Sequence, residues 1–114
     1  MLAGVYRIKQ GKRIGEVKSQ GKLLQSNNLG ITILKREDNE TSKFAFVIST
    51  KISKLAVQRN RINRALNEGV RRNLNKIPKG YDFVLLAKKS IASKTTEEIM
   101  NEMDSFFSQF KFQS

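Results

Sequence analysis

An amphipathic helical pattern between two strongly apolar segments constrains the fold of this 114-residue chain more than any other feature. The two segments are FAFVIST (residues 44–50) and YDFVLLAK (residues 81–88), whose β-branched and aromatic residues are typical of buried strands. Between them, apolar residues recur at helical spacing, at Ile62, Ala65, Leu66, Val70 and Leu74. A strand, a helix and a strand in succession predict a sheet with helices packed on it.

The segments on either side supply further elements. LGITILK (residues 29–35) alternates in polarity and predicts a half-buried strand, which we expect to be the antiparallel neighbour of residues 44–50 across the polar link REDNETSK. Residues 7–22 predict a short basic helix, with Ile14 and Val17 facing a core. The pattern is therefore that of a single α+β or α/β layered domain over residues 1–114.

Helix ends are indicated by capping residues. Ser53 is the predicted N-cap of the middle helix, and Pro78 and Gly80 mark its predicted end. Thr95 and Glu98 form a predicted capping box that starts the last helix. The apolar face of that helix is predicted to contain Ile99, Met103, Phe106, Phe107 and Phe110.

Positive charge is concentrated in the middle of the chain. The formal net charge is +12, from 22 Lys and Arg residues against 10 Asp and Glu residues. Residues 42–94 carry 13 of the basic and 2 of the acidic side chains, in the region where the strands and the helix are predicted. A folded surface with such a field attracts nucleic acid, anionic membranes or acidic proteins.

The middle helix carries much of this charge on one face. QRNRINRALNEGVRR (residues 58–72) contains five arginines, three asparagines and one acid. On a helical wheel, the face opposite the apolar stripe carries Asn60, Arg64, Asn67 and Arg71. Arginine pairs bidentately with phosphate and stacks on bases, and like charges on one helix face oppose folding unless a partner neutralises them. We therefore favour a polyanion-binding face, with RNA as the polyanion, over a merely solvated one. Lys51, Ser53 and Lys54, beside the start of this helix, are candidates for an anion site.

Several other functions are excluded or disfavoured by composition. The chain has no cysteine and no histidine, which excludes disulfides, thiol nucleophiles, histidine bases and Cys/His zinc sites. The candidate Mg²⁺ ligands are then acidic residues, namely Asp82, Glu97, Glu98, Glu102 and Asp104. Acids at the start of a helix are ordinarily solvated, so a stand-alone Mg²⁺ nuclease is the less favoured interpretation. The first 13 residues lack the apolar run of a signal peptide, which favours a cytoplasmic protein without a membrane role.

The sequence resembles the bacterial ribonuclease P protein component. FVISTKISKLAVQRNRINRALNEGVR (residues 46–71) is similar to the family signature of an apolar strand, a basic loop and an Arg-Asn-Arg helix. The matching positions are Ser49, Lys51, Ala56, Val57, Arg59, Asn60, Arg61, Ile62, Arg64, Glu68 and Arg71. The similarity extends to Gly-Tyr-Asp-Phe-Val at residues 80–84, and more weakly to residues 7–9 and 17–21.

The resemblance implies a fold and a function. The implied fold is a helix, three strands, the basic helix, a fourth strand and a last helix around one mixed sheet, with a left-handed crossover. The implied function is that of the protein subunit of ribonuclease P, in which the RNA subunit hydrolyses the phosphodiester with Mg²⁺ that it mainly binds itself. The protein would bind that RNA and hold the 5′ leader of precursor tRNA in a cleft between sheet and helix. No DNA or membrane partner is implied.

The resemblance also assigns residues. RNA contacts are implied for Ser49, Lys51, Lys54, Arg59, Asn60, Arg61, Arg64 and Arg71. The leader-cleft positions are Ile14 and Lys18, where the family has aromatic rings. Two basic positions of the family helix are Asn63 and Asn67 here, and the usual Phe is Val70. The main alternative is a general RNA- or ribosome-binding module without a role in tRNA processing.

Overall fold

A computed structural model of the protein describes residues 2–110. Three helices and four strands follow the predicted order of helix, three strands, helix, strand and helix. The elements are α1 (Gly11–Gln20), β1 (Lys22–Gln25), β2 (Leu29–Lys35), β3 (Lys43–Val47), α2 (Ala56–Arg72), β4 (Tyr81–Ala87) and α3 (Thr96–Gln109), with short 3-10 turns at Gly4–Tyr6, Leu74–Lys76 and Lys89–Ser93. The α+β prediction is thus confirmed.

The four strands form one mixed sheet in the order β1-β2-β4-β3. β2 pairs antiparallel with both β1 and β4, whereas β3 pairs parallel with β4. The predicted strand-helix-strand step from β3 through α2 to β4 is therefore confirmed, and the structure shows that its two strands are parallel. Its left-handed sense, which the family resemblance implies, stays a prediction.

The prediction that β2 and β3 are antiparallel neighbours was wrong, because β4 lies between them. Two strand spacings amount to about 10 Å, a distance that the polar link of residues 36–42 spans easily. β4 occupies one of the two interior positions of the sheet and is buried on both faces. In β4, Phe83 and Leu85 pack into one core cluster, and Val84 between them packs into another.

The two faces of the sheet are covered differently. α2 and α3 pack together on one face and enclose the main core, which includes Ile31, Phe44, Phe83, Ile62, Leu66, Val70, Ile99, Met103 and Phe107. α1 lies on the opposite face, where Val17 packs with Ala45 and Val84 and the half-buried Ile14 lies against the same cluster. Both predicted core contacts of α1 are confirmed.

Some predicted ends of elements differ from the structure. α2 begins at Ala56 without a side-chain cap, so the prediction of Ser53 as N-cap was wrong. The Ser53 hydroxyl instead accepts a hydrogen bond from the Leu55 N–H at 3.2 Å, and stabilises the turn before the helix. β3 ends at Val47, three residues before the predicted end, and the four-residue β1 was not visible in the apolar pattern.

The C-terminal end of α2 also precedes the predicted one. The helix stops at Arg72, before Pro78 and Gly80, because Asn73 leaves the helical conformation and caps it. The buried Asn73 amide donates to the Gly69 carbonyl and to Asp104 Oδ1, each at 2.7 Å. At the other helix, the capping box of Thr95 and Glu98 is confirmed in both of its hydrogen bonds.

Candidate RNA-binding surface

α2 has the two faces that the sequence predicts, with one exception. Ile62, Leu66 and Val70 are fully buried, whereas Asn60, Arg64 and Arg71 are exposed. The prediction that Asn67 belongs to the exposed face was wrong, because its side chain is buried. The Asn67 amide reaches back one turn and donates to the Asn63 carbonyl at 2.7 Å, so its polar group is satisfied away from water.

This contact joins two positions at which the family resemblance implies basic residues. Asn67 Nδ2 also lies 3.2 Å from Asn63 Oδ1. The side chains of these two asparagines are thus hydrogen-bonded to each other on the helix.

The arginines of α2 divide into those that are held by the protein and those that are not. Arg72 pairs with Asp104 of α3, and Arg71 pairs with Glu68 on its own helix. Arg59 Nη1 donates to the Ser53 carbonyl at 2.8 Å, which fastens the preceding loop. By contrast, Arg61 and Arg64 form no hydrogen bond or ion pair with any other residue in the range 2–110. These two guanidinium groups are available to an external anion.

The paired arginines change the ionisation of their partners. The hydrogen bond from Arg71 lowers the pKa of the Glu68 carboxyl, and the hydrogen bond from Arg72 lowers the pKa of the Asp104 carboxyl. Both acids are ionised at neutral pH, as their ordinary pKa values already ensure, and they neutralise part of the C-terminal half of the helix. The unneutralised charge lies in the N-terminal half.

The loop before α2 adds further basic groups at that end. Ser49, Lys51 and Lys54 are all exposed and lie between the end of β3 and the start of α2. A turn closed by the Ile52 N–H and the Ser49 carbonyl at 3.0 Å shapes this loop. The predicted site residues of the loop and of the first turns of α2 thus share one end of the helix.

The predicted leader-cleft residues lie on the other side of the sheet. Ile14 is half-buried between α1 and the sheet, and Lys18, one turn further on, is exposed. Half-buried aliphatic side chains lie in the same cluster, namely Leu34, Val47 and Leu86. The lining beside α1 is thus aliphatic.

A buried carboxylate fastens α1 to the sheet. Asp82, whose side chain is 3% exposed, accepts from Arg13 Nε at 2.7 Å and from Arg36 Nη1 at 2.5 Å. The hydrogen bond to Asp82 raises the pKa of Arg13, and hydrogen bonds to Asp38 and Asp82 raise the pKa of Arg36 although burial opposes the shift. Asp82 is therefore a structural anion between two cations.

The acids considered as Mg²⁺ ligands are not brought together. Asp82 lies on the α1 face of the sheet, whereas the other candidates are on α3, which packs on the opposite face. Glu102 accepts from Ser26 Oγ at 2.5 Å and from the Asn28 N–H at 2.8 Å. Among the residues that the structure describes, no three acids are grouped as metal ligands would be.

Sequence reasoning missed Val57 as a surface feature. The side chain is 83% exposed and borders a groove between α2 and the start of α3. On the helical wheel Val57 lies about 20° from Arg64, on the polar face of α2. An aliphatic residue on that face was the signal that the sequence offered. No helix within residues 2–110 has the length and apolarity to span a bilayer.

The fold and this surface define a class, that of small α+β domains with a strongly basic helix packed on a four-stranded sheet. A family model described as ribonuclease P matches residues 2–111. The chain therefore belongs to the ribonuclease P protein family.

Individual relatives agree with the family match. The ribonuclease P protein component of Clostridium beijerinckii is 34% identical over 107 residues, which cover 89% of this chain and 85% of the relative. That of Clostridium kluyveri is 35% identical over 101 residues, covering 87% and 88%. Family membership assigns the chain to the protein side of ribonuclease P, an endoribonuclease complex.

Solved structures support the fold. The RNase P protein from Thermotoga maritima superposes with a TM-score of 0.80 at 22% identity, covering 93% of this chain and 98% of that one. The Staphylococcus aureus RNase P protein gives a TM-score of 0.82 at 21% identity, covering 90% and 93%. The β1-β2-β4-β3 sheet with its three helices is thus an arrangement shared with both.

Proposed function

We propose that this chain binds the RNA subunit of ribonuclease P through the N-terminal half of α2, and assists Mg²⁺-dependent removal of the 5′ leader from precursor tRNA. The observation that carries the proposal is the pair of unpartnered guanidinium groups, Arg61 and Arg64, on a helix whose opposite face is fixed in the core. The helix fixes the backbone positions of both residues before RNA arrives, so the ordering cost of binding is confined to their side chains, at about 0.5–1.5 kcal/mol each.

The neighbouring residues extend this surface. Asn60 supplies an exposed amide for a sugar or base edge, and Ser49, Lys51 and Lys54 add a hydroxyl and two ammonium groups from the preceding loop. Arg59 and Arg71 remain part of the proposed surface, but each already has a protein partner. We expect them to contribute less to RNA affinity than Arg61 and Arg64.

The leader would lie in the cleft between α1 and the sheet. Ile14 and Lys18 occupy the positions of the family's rings, so base stacking of about 1–3 kcal/mol per base is absent there. Lys18 is exposed and would meet a leader phosphate, and Ile14 would offer only apolar contact. Leader binding in this protein is therefore expected to depend more on salt and less on base identity.

Catalysis is assigned to the RNA subunit in this proposal, with Mg²⁺ held mainly by RNA. The protein would supply positive charge that reduces repulsion between two RNA molecules, and so lowers the Mg²⁺ concentration that the reaction needs. The proposed partners are the RNA subunit and the precursor-tRNA leader, with no DNA or membrane partner, and the proposed location is the cytoplasm.

Affinity for precursor and mature tRNA tests the proposal against the general RNA-binding alternative. Both affinities are measured with the RNA subunit bound to this protein, and again with the RNA subunit alone. The proposal predicts that the protein increases the preference for precursor over mature tRNA. Equal tightening of both substrates would indicate a general RNA-binding module.

A further inference from the structure

A groove separates the first turns of α2 from the start of α3. Its volume is about 700 Å³, within the range of sites that hold small ligands. Its apolar lining is Val57, Ala65 and Met100, and its polar lining is Asn60, Arg61, Arg64, Glu68 and Thr96. Apolar and cationic groups thus line one groove, and its one acid, Glu68, is already paired with Arg71.

The chemistry of this lining matches one kind of ligand. The flat face of a nucleobase gains from apolar contact, and the two unpartnered guanidinium groups are suited to the phosphates on either side of it. Asn60 has both a donor and an acceptor for a base edge. In a duplex the faces of the bases are covered by stacking, so only an unstacked nucleotide can place its base against the apolar lining.

We propose that the groove between α2 and α3 is a subsite for a single unstacked nucleotide, with its base on Val57 and Met100 and its phosphates on Arg61 and Arg64. The subsite rests on the proposed function, which supplies the RNA. The source is the RNA subunit, because the leader cleft beside α1 lies on the opposite face of the sheet.

The first test removes the apolar side chain of Val57 from the groove without changing the charge. Val57→Ser is compared with Val5→Ser, which alters another exposed valine outside the groove. Val57→Ser is expected to weaken binding of the RNA subunit about tenfold, equivalent to about 1.4 kcal/mol. Its dependence on salt should stay that of the wild type, and Val5→Ser should bind normally. Unchanged affinity of Val57→Ser would overturn the subsite while leaving the proposed function intact.

The second test does not need the RNA subunit. Methyl resonances of Val57 and Met100 are followed in the full-length protein during titration with pentauridylate, and with a pentamer of the same length and charge that lacks all of its bases. Shifts with the first and not with the second support the subsite. Equal shifts with both, no shift with either, or equal shifts with pentaglutamate would overturn it. If the wild-type protein does not bind the RNA subunit, the proposed function is refuted. The methyl shifts would still show whether the groove binds an unstacked nucleotide.

Discussion

Replacement of Asp82 by asparagine is expected to destabilise the fold strongly. The carboxylate lies in the first part of β4 and bridges Arg13 of α1 to Arg36 at the end of β2. Arg36 also donates to the Thr41 carbonyl at 2.9 Å, and so fastens the link that leads to β3. One carboxylate therefore fixes the position of α1 and supports the crossing of the β2–β3 link.

The magnitude depends on how much water reaches the three groups. Removing one partner of a fully buried ion pair costs about 3–5 kcal/mol. The side chain of Arg36 is 13% exposed and that of Arg13 is 29% exposed, so water recovers part of the loss at Arg13. An amide at position 82 keeps one acceptor. We therefore expect about 2–3 kcal/mol for Asp82→Asn, a large part of the total for a domain of this size.

Urea unfolding followed by circular dichroism measures this effect. For a slope near 1.5 kcal/mol per molar, typical of small domains, the midpoint should fall by about 1.3–2 M. Glu37→Gln is the matched control, because it removes one exposed acidic charge from the same region. A difference between the two variants smaller than about 0.5 kcal/mol would show that the Asp82 bridge does not stabilise the fold.

Three further predictions follow from individual contacts. The hydrogen bond from Arg72 lowers the pKa of Asp104 below its ordinary value of 3.8, so this stabilisation is complete above that pH and disappears as pH falls through the lower folded pKa. Asp104→Asn should therefore lower the melting temperature at pH 7, and should lose less stability than the wild type on acidification below about pH 4. An equal loss of stability on acidification in the variant and the wild type would contradict this. Gly69→Ala should destabilise by about 1–3 kcal/mol, since a Cβ there would lie 3.0 Å from Met103 Cβ and 2.8 Å from its Cγ, and a higher melting temperature would refute that packing. Arg64→Ala should weaken RNA binding and reduce the slope of log affinity against log salt by about 0.7–0.9, whereas an unchanged slope would show that Arg64 meets no phosphate.

Local patterns predicted the elements of this fold better than their neighbours in the sheet. The α2 stripe and the Thr95 capping box were read correctly, because each depends on residues within a few turns of one another. The position of β4 between β2 and β3 depends on pairs of residues between 39 (Lys43 with Asp82) and 58 (Leu29 with Ala87) positions apart in the sequence. The role of Asp82 was missed for the same reason, since its two arginines are 69 and 46 residues away.

The sequence predicted which residues form the candidate surface. The structure shows which of their side chains form hydrogen bonds or ion pairs with other residues in the range 2–110, and which do not. The arginine pattern alone treats Arg64 and Arg71 as equivalent, whereas the structure pairs Arg71 with Glu68 and leaves Arg64 unpartnered. Asn67 was placed outward because a helical wheel has no tertiary contacts and cannot show an amide folding back on Asn63. The sequence could not place Val57 in a groove, because the second wall of that groove is formed by α3.

Cleavage of precursor tRNA at limiting Mg²⁺ tests the central claim most directly. The cognate RNA subunit is assayed alone, with the wild-type protein, and with Arg61→Ala/Arg64→Ala. A control that removes equal charge is Lys35→Ala/Lys79→Ala, at two exposed lysines beside the start of β4. We predict strong stimulation by the wild type and the lysine control, and little by the arginine variant. No stimulation by the wild-type protein, or equal stimulation by all three, would contradict the account.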